Sequence, residues 1–122
     1  MKPTDSELEI LQVLWQNGPV TVRFVHEQLA KNKDVGYTTT LKLLQIMQEK
    51  GFVSRTEESR SHVYAAAVDQ IETQQTLLSR FVENTFRGST TQLVMQALGN
   101  HRASADELQQ IRELLNQIEQ QP

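Results

Sequence analysis

After Gly51 the hydrophobic pattern of this chain changes period. Up to Lys50 its apolar residues recur at three and four positions. Phe52-Val53-Ser54-Arg55-Thr56-Glu57 and His62-Val63-Tyr64-Ala65-Ala66 instead alternate, with the polar tip Glu58-Ser59-Arg60-Ser61 between them. A period near 3.6 and a period of 2 belong to different backbones, so the chain leaves helix at Gly51, forms two strands, and becomes helical again after Val68. Few folds accept a hairpin placed between helices at that point.

Thr4-Asp5-Ser6-Glu7 has the form of a capping box, and the apolar face Leu8, Ile10, Leu11, Val13, Leu14 and Trp15 follows it. Asn17-Gly18-Pro19 is expected to end this first helix through a left-handed cap. Thr21 is the expected N-cap of a second helix that turns Val22, Val25, Leu29 and Ala30 inward. After the polar turn 31–36 comes Tyr37 to Lys50. With Leu44 at the centre of the buried face, Thr40, Leu43 and Met47 share its side, while Thr38, Thr39, Lys42, Gln45, Ile46 and Glu49 fall opposite. Three helices followed by a hairpin make a winged helix-turn-helix, and the third helix is its recognition helix.

Beyond the hairpin, Asp69-Gln70-Ile71-Glu72, Ser89-Thr90-Thr91-Gln92 and Ser104-Ala105-Asp106-Glu107 open three more helices. Their apolar stripes include Phe81 in the first, Leu93 in the second, and Leu108, Ile111, Leu115 and Ile118 in the third. The last four are spaced 3, 4 and 3 apart, a seam too short to stand alone in water. The expected architecture is mainly α with a small β-hairpin wing. Residues 1–68 form the winged-helix DNA-binding domain and 69–122 a helical dimerisation region, with Phe81, Leu93, Leu108, Ile111, Leu115 and Ile118 at a two-fold interface.

Charge gives this reading no help. The net charge is −3, and residues 1–68 carry eight basic and eight acidic side chains, whereas a DNA-binding surface draws affinity from phosphate neutralisation. Basic groups must therefore gather on one face, and Lys42, Lys50, Arg55 and Arg60 are expected to do so. Three consecutive threonines at a helix start are costly for helix propensity, but their hydroxyls reach caps, phosphates and base edges. The expected DNA contacts are Thr38, Thr39, Lys42, Gln45, Ile46 and Glu49 on the helix, with Arg55, Arg60 and His62 on the wing. A protein-interaction module that reads a partner instead of DNA is the alternative, motivated by the neutral N-terminal half and by Ile46 on the outer face.

Other chemistries find no foothold. With no cysteine in the sequence, disulfides and thiol chemistry are excluded. His26, His62 and His101 have no ligand-like spacing, so no metal or other cofactor is expected, and no catalytic constellation is present. No signal-peptide core or membrane-length apolar run appears, so a cytoplasmic protein without membrane insertion is expected.

Thr4 to Trp15, Tyr37-Thr38-Thr39, Lys50-Gly51 and Arg60 through Tyr64 together resemble the penicillinase/methicillin-resistance repressor family, the BlaI/MecI/CopY group of winged-helix transcriptional regulators. The resemblance covers nearly the whole chain. It implies a bacterial homodimeric repressor bound to an inverted-repeat operator in double-stranded DNA, with groove-facing positions at Thr38, Thr39 and Lys42 and a wing arginine at Arg60. Departures are specific. Ile46 and Glu49 stand where many relatives carry Arg and Lys, which points to a different operator, with Ile46 against a thymine methyl. The copper-responsive branch's cysteine cluster is absent. A membrane sensor protease is the inducer the β-lactam-responsive members imply, yet their cleaved Asn-Phe step is replaced here by Gln96-Ala97.

Overall fold

The computed structural model describes residues 2–122, which fall into two compact units, one ending at Leu77 and the other Leu78–Pro122. The first unit holds α1 (Asp5–Asn17), β1 (Val20–Thr21), α2 (Val22–Ala30), α3 (Tyr37–Lys50), β2 (Val53–Glu58) and β3 (Ser61–Ala66). Helix α4 (Gln70–Phe86) begins in the first unit and ends in the second, where α5 (Thr90–Gly99) and α6 (Ala105–Glu119) follow. A division after residue 68 follows the end of the hairpin; by compactness the first turns of α4 go with the N-terminal unit.

Helix α1 opens with both halves of its capping box: Glu7 N–H donates to Thr4 Oγ1 at 3.2 Å, and Thr4 N–H donates to Glu7 Oε1 at 2.8 Å. Its end departs from the expected left-handed cap. Gly18 has φ 72° but ψ −159°, an extended positive-φ conformation that is essentially restricted to glycine. That conformation feeds straight into β1. Thr21 then caps α2 by accepting from Phe24 N–H at 3.2 Å. Val22, Val25 and Leu29 are buried, whereas Ala30, expected inside, is exposed at the helix end.

The change of period at Gly51 has a structural cause. Gly51 adopts the left-handed conformation (φ 85°, ψ 11°) and donates to Gln48 O, while Phe52 N–H donates to Met47 O at 2.9 Å. This is a Schellman motif, with buried Phe52 and Met47 as its hydrophobic pair. Phe52 thus belongs to the cap, and β2 begins one residue later than the alternation suggests. Strand β3 lies centrally in the order β1-β3-β2, all antiparallel, with Arg55 opposite Tyr64, Glu57 opposite His62 and Glu58 opposite Ser61. The hairpin loop is therefore Ser59-Arg60 alone. Glu58 and Ser61, expected in the tip, are the last strand pair. Both loop residues have positive φ (48° and 70°), as a two-residue type I′ turn requires.

The core of the first unit joins Ile10, Leu11 and Leu14 of α1 to Val22, Val25 and Leu29 of α2. Leu44 and Met47 of α3 and Phe52, Val53 and Tyr64 of the sheet complete it. The Trp15 indole N–H donates to Val68 O at 3.1 Å and ties the end of the hairpin back to α1.

In the second unit, α4 ends in two left-handed residues, Arg87 and Gly88, and Ser89 caps α5 by accepting from Gln92 N–H at 3.1 Å. The boxes expected at α4 and α6 form only in part. Asp69 accepts from Glu72 N–H and Ser104 from Glu107 N–H, but the Glu107 carboxylate turns to His101 Nε2 at 2.9 Å instead of returning to Ser104. The hydrogen bond from His101, and after it the nearby Ser104 backbone N–H, hold Glu107 below the usual carboxylate range.

Candidate nucleic-acid interface

Helix α3 is fixed along its inner face and at both ends. Thr40, Leu44 and Met47 are fully buried, and the Thr40 hydroxyl donates back to Gly36 O at 3.2 Å. No side chain caps the helix start, so the hydroxyls of Thr38 and Thr39 are not spent there. The loop before α3 is held by His26, whose Nε2 lies 2.9 Å from Val35 O. A carbonyl only accepts, so Nε2 carries the proton. The same ring meets Tyr37 edge-on at 5.9 Å.

The other end of α3 is anchored to α1. Lys50 Nζ lies 2.9 Å from Glu7 Oε2, and the Glu7 side chain is 2% exposed. Burial pushes the Glu7 pKa up, but the Thr4 hydrogen bonds and the Lys50 ammonium outweigh it and leave the carboxyl below its ordinary value. Lys50 also sits 5.9 Å above the Phe52 ring. It was expected to share a DNA-facing surface with Lys42, Arg55 and Arg60, but its charge is committed to Glu7. A cation one residue before a C-cap glycine looks from sequence like a free phosphate contact; its partner lies 43 residues away.

With its inner face buried, α3 presents the opposite side. Thr38, Thr39, Lys42, Gln45 and Glu49 are exposed, while Ile46 is half-buried. Polar groups therefore dominate the free surface, and Ile46 offers less apolar area than its position on a helical wheel suggests. On the wing, register places Arg55, Glu57, Tyr64 and His62 on one face of the hairpin, because directly opposed residues point the same way. Ser54, Thr56, Val63 and Ser61 occupy the other. Arg60 is at the turn.

Three segments converge beside this helix. Thr21, Val22 and Arg23 from the start of α2, Tyr37 and Leu41 from the start of α3, and Arg60, Ser61 and His62 from the wing wall a recess of about 450 Å³. Arg60 and His62 thus come together at the start of the recognition helix, beside Tyr37 and Leu41, whereas Thr38, Thr39, Lys42, Gln45, Ile46, Glu49 and Arg55 do not line this recess. Arg23, Thr21 and Tyr37 have no counterpart among the sequence-based contacts. No spacing signal could have found Arg23, because only the fold brings the start of α2 to the wing.

The apolar positions of the second unit contrast with this ordered surface. Phe81 is 50%, Leu115 52% and Ile118 54% exposed; Leu108 is also exposed, and Leu93 and Ile111 are half-buried. Leu78, Val94, Met95, Leu98 and Leu114 add exposed apolar area that the seam alone does not include. Among the described residues, no helix is long and apolar enough to cross a membrane.

Comparison with known proteins agrees with this geometry. The family described as Penicillinase repressor matches residues 3–117. The methicillin resistance regulatory protein MecI of Staphylococcus aureus (strain N315) is 21% identical over 113 residues, 93% of this chain and 92% of that protein. The penicillinase repressor of Bacillus licheniformis is 23% identical over 114 residues, 93% of this chain and 89% of its own. Among solved structures, the DNA-binding domain of the repressor BlaI superposes with a TM-score of 0.51 at 27% identity, over 57% of this chain and 90% of that domain.

Proposed function

This chain belongs to the penicillinase repressor family and is a DNA-binding transcriptional repressor rather than an enzyme; from that premise we propose that it acts as a cytoplasmic homodimer on an inverted-repeat operator. Each protomer lays α3 in a major groove, with half-sites about one helical turn apart. Thr38, Thr39, Lys42, Gln45 and Glu49 face base edges and nearby phosphates. The observation that carries this reading is the row of exposed polar side chains on a helix whose other face buries Thr40, Leu44 and Met47, with Leu43 half-buried beside them, and whose ends are both anchored. Such a helix meets DNA with its backbone already in place, so the ordering needed on binding is that of its exposed side chains.

Gln45 is suited to the paired donor and acceptor of adenine, and Lys42 to guanine or phosphate. Ile46, being half-buried, adds at most an edge contact to a thymine methyl. The reading as a module for a protein partner leaned on Ile46 as an exposed apolar knob and loses that support. Phe81, Leu93, Leu108, Ile111, Leu115 and Ile118 supply the two-fold interface, supported by the large apolar side chains that the second unit leaves uncovered. A sensor protease as inducer finds no support in this chain's residues, because Gln96-Ala97, in α5, stands in place of the Asn-Phe step cleaved in the β-lactam-responsive members.

The test is selection of bound duplexes from a random library, followed by gel shift across a salt series. An inverted repeat with log affinity falling linearly against log salt is expected. Recovery of no preferred sequence, or of a single unrepeated half-site by a monomer, overturns the proposal.

A further inference from the structure

The recess beside α3 differs from another recess of the first unit in one chemical respect. That other one, about 350 Å³ beneath the start of α4, is lined by Lys2 together with the carboxylates Asp69 and Glu72. The recess by the wing has Arg23, Arg60 and His62 in its wall and no acidic residue. In a unit with eight basic and ten acidic side chains, this is a local excess of positive charge. It is also concave and lined from three segments, so an anion seated in it would have basic side chains on more than one side.

The donors have the right character for phosphate. Arg60 is held at the turn by positive φ at both loop residues, a conformation a non-glycine side chain adopts at a cost. Arg23 is 83% exposed and touches Glu27 at 3.3 Å; a surface pair of this kind is worth little and releases its guanidinium readily. Tyr37, 47% exposed, adds a phenolic donor. Glu57 faces His62 across the hairpin but is outside the wall.

Resting on the repressor reading above, we propose that this recess seats a backbone phosphate of the operator duplex. The wing arginine then grips the backbone together with Arg23, instead of entering the minor groove. Arg23 and Arg60 become positioning contacts: they set the depth and angle of α3 without reading sequence.

The probes are the best duplex from the library selection and a random-sequence duplex of equal length. Arg23→Ala and Arg60→Ala are each expected to weaken both duplexes by the same factor. Each lost phosphate contact removes about 0.9 from the slope of log affinity against log salt, so about 1.8 per dimer, and about thirty-fold in affinity at 0.15 M salt. Arg23→Lys should recover the slope. Circular dichroism melting confirms that the variants are folded, and both residues are exposed enough for this to be expected. An unchanged slope in Arg23→Ala overturns the proposal, as does a loss in Arg60→Ala confined to the selected duplex, the mark of minor-groove reading. A third arm replaces chloride by inorganic phosphate at matched ionic strength. Extra competition that Arg23→Ala abolishes is expected, because a seat for a backbone phosphate also takes inorganic phosphate; competition that is the same in wild type and Arg23→Ala shows that Arg23 does not hold the anion, and overturns the proposal. Wild-type protein that binds neither duplex would instead remove the repressor reading itself.

Discussion

The two units of this chain use apolar residues in opposite ways. In the first, Ile10, Leu11, Leu14, Val25, Leu44, Met47 and Tyr64 are all no more than 2% exposed; in the second, Val82 is the buried apolar side chain among the described residues. The first unit has a closed core that three helices and a sheet share. The second displays leucines and isoleucines at helical spacing to nothing within its own unit. Sequence alone marks both sets as amphipathic stripes. What separates them is whether a covering surface exists in the same unit, and for the second the proposed cover is a second copy of the chain.

The largest expected effect comes from making one substitution in both places. Leu44→Ala removes a fully buried side chain and should cost about 2–5 kcal/mol, at any protein concentration. Leu115→Ala should cost little when the protein is dilute, but should lower the melting temperature once the concentration allows dimers to form. Calorimetry over a hundred-fold concentration range checks both. Concentration-independent melting of the wild type, with sedimentation showing a monomer, would break the comparison, because the stripe of α6 would then lack its partner.

Next in size is the ion pair that anchors α3. Glu7→Ala loses half of the capping box and leaves Lys50 unpaired at a mostly buried site, together about 2–4 kcal/mol. The pH dependence has a definite sign. The folded pKa of Glu7 is depressed, so its contribution is fully present above the ordinary value of 4.5 and disappears as pH falls through the lowered folded value. The stability gap between wild type and Glu7→Gln should therefore be constant near neutrality and close below about pH 4. A gap that persists into stronger acid would mean that hydrogen-bond geometry, and not charge, holds the helix. The pair serves the first unit only, and concentration should not change its effect.

How far the sequence could be read follows from the range of each interaction. Helix caps at Thr4, Thr21, Ser89 and Ser104 join residues three apart, and a local pattern reports them. The Gly51 turn was legible for the same reason. The partners Glu7 and Lys50, His26 and Val35, or Arg23 and Arg60 meet only in space, and no periodicity encodes them. Turn chemistry misled in another way: Ser59-Arg60 lacks the Asn-Gly signature of a type I′ loop, so a four-residue tip was the natural expectation. Ala30 was placed inside by its period, but a terminal helical residue can fray out of register with the core.

Smaller effects test how much strain the DNA-facing unit carries. Arg60→Gly relieves a left-handed side chain (φ 70°) and should raise stability by up to about 1 kcal/mol, less the extra entropy of glycine in the unfolded chain. The same variant should bind operator DNA more weakly. Urea midpoints and gel shifts measure the two outcomes; a fall in stability would show that the turn relies on the Arg60 side chain.

The smallest expected change concerns the centre of the first unit. Tyr64 is fully buried in the middle strand, and its hydroxyl has no hydrogen-bond partner. An unpaired buried hydroxyl loses its hydration without return, and removing it can stabilise. Against that, phenylalanine leaves a small void where the oxygen was, and voids in a packed core are unfavourable. The two effects oppose each other, so Tyr64→Phe should shift stability by about 0–1 kcal/mol, in the stabilising direction. Because the site belongs to the closed core, the shift should be the same at every protein concentration, unlike that of Leu115→Ala. A loss of more than about 1 kcal/mol would mean that the hydroxyl has a partner, such as a trapped water, and that the core of the first unit is less dry than its packing implies.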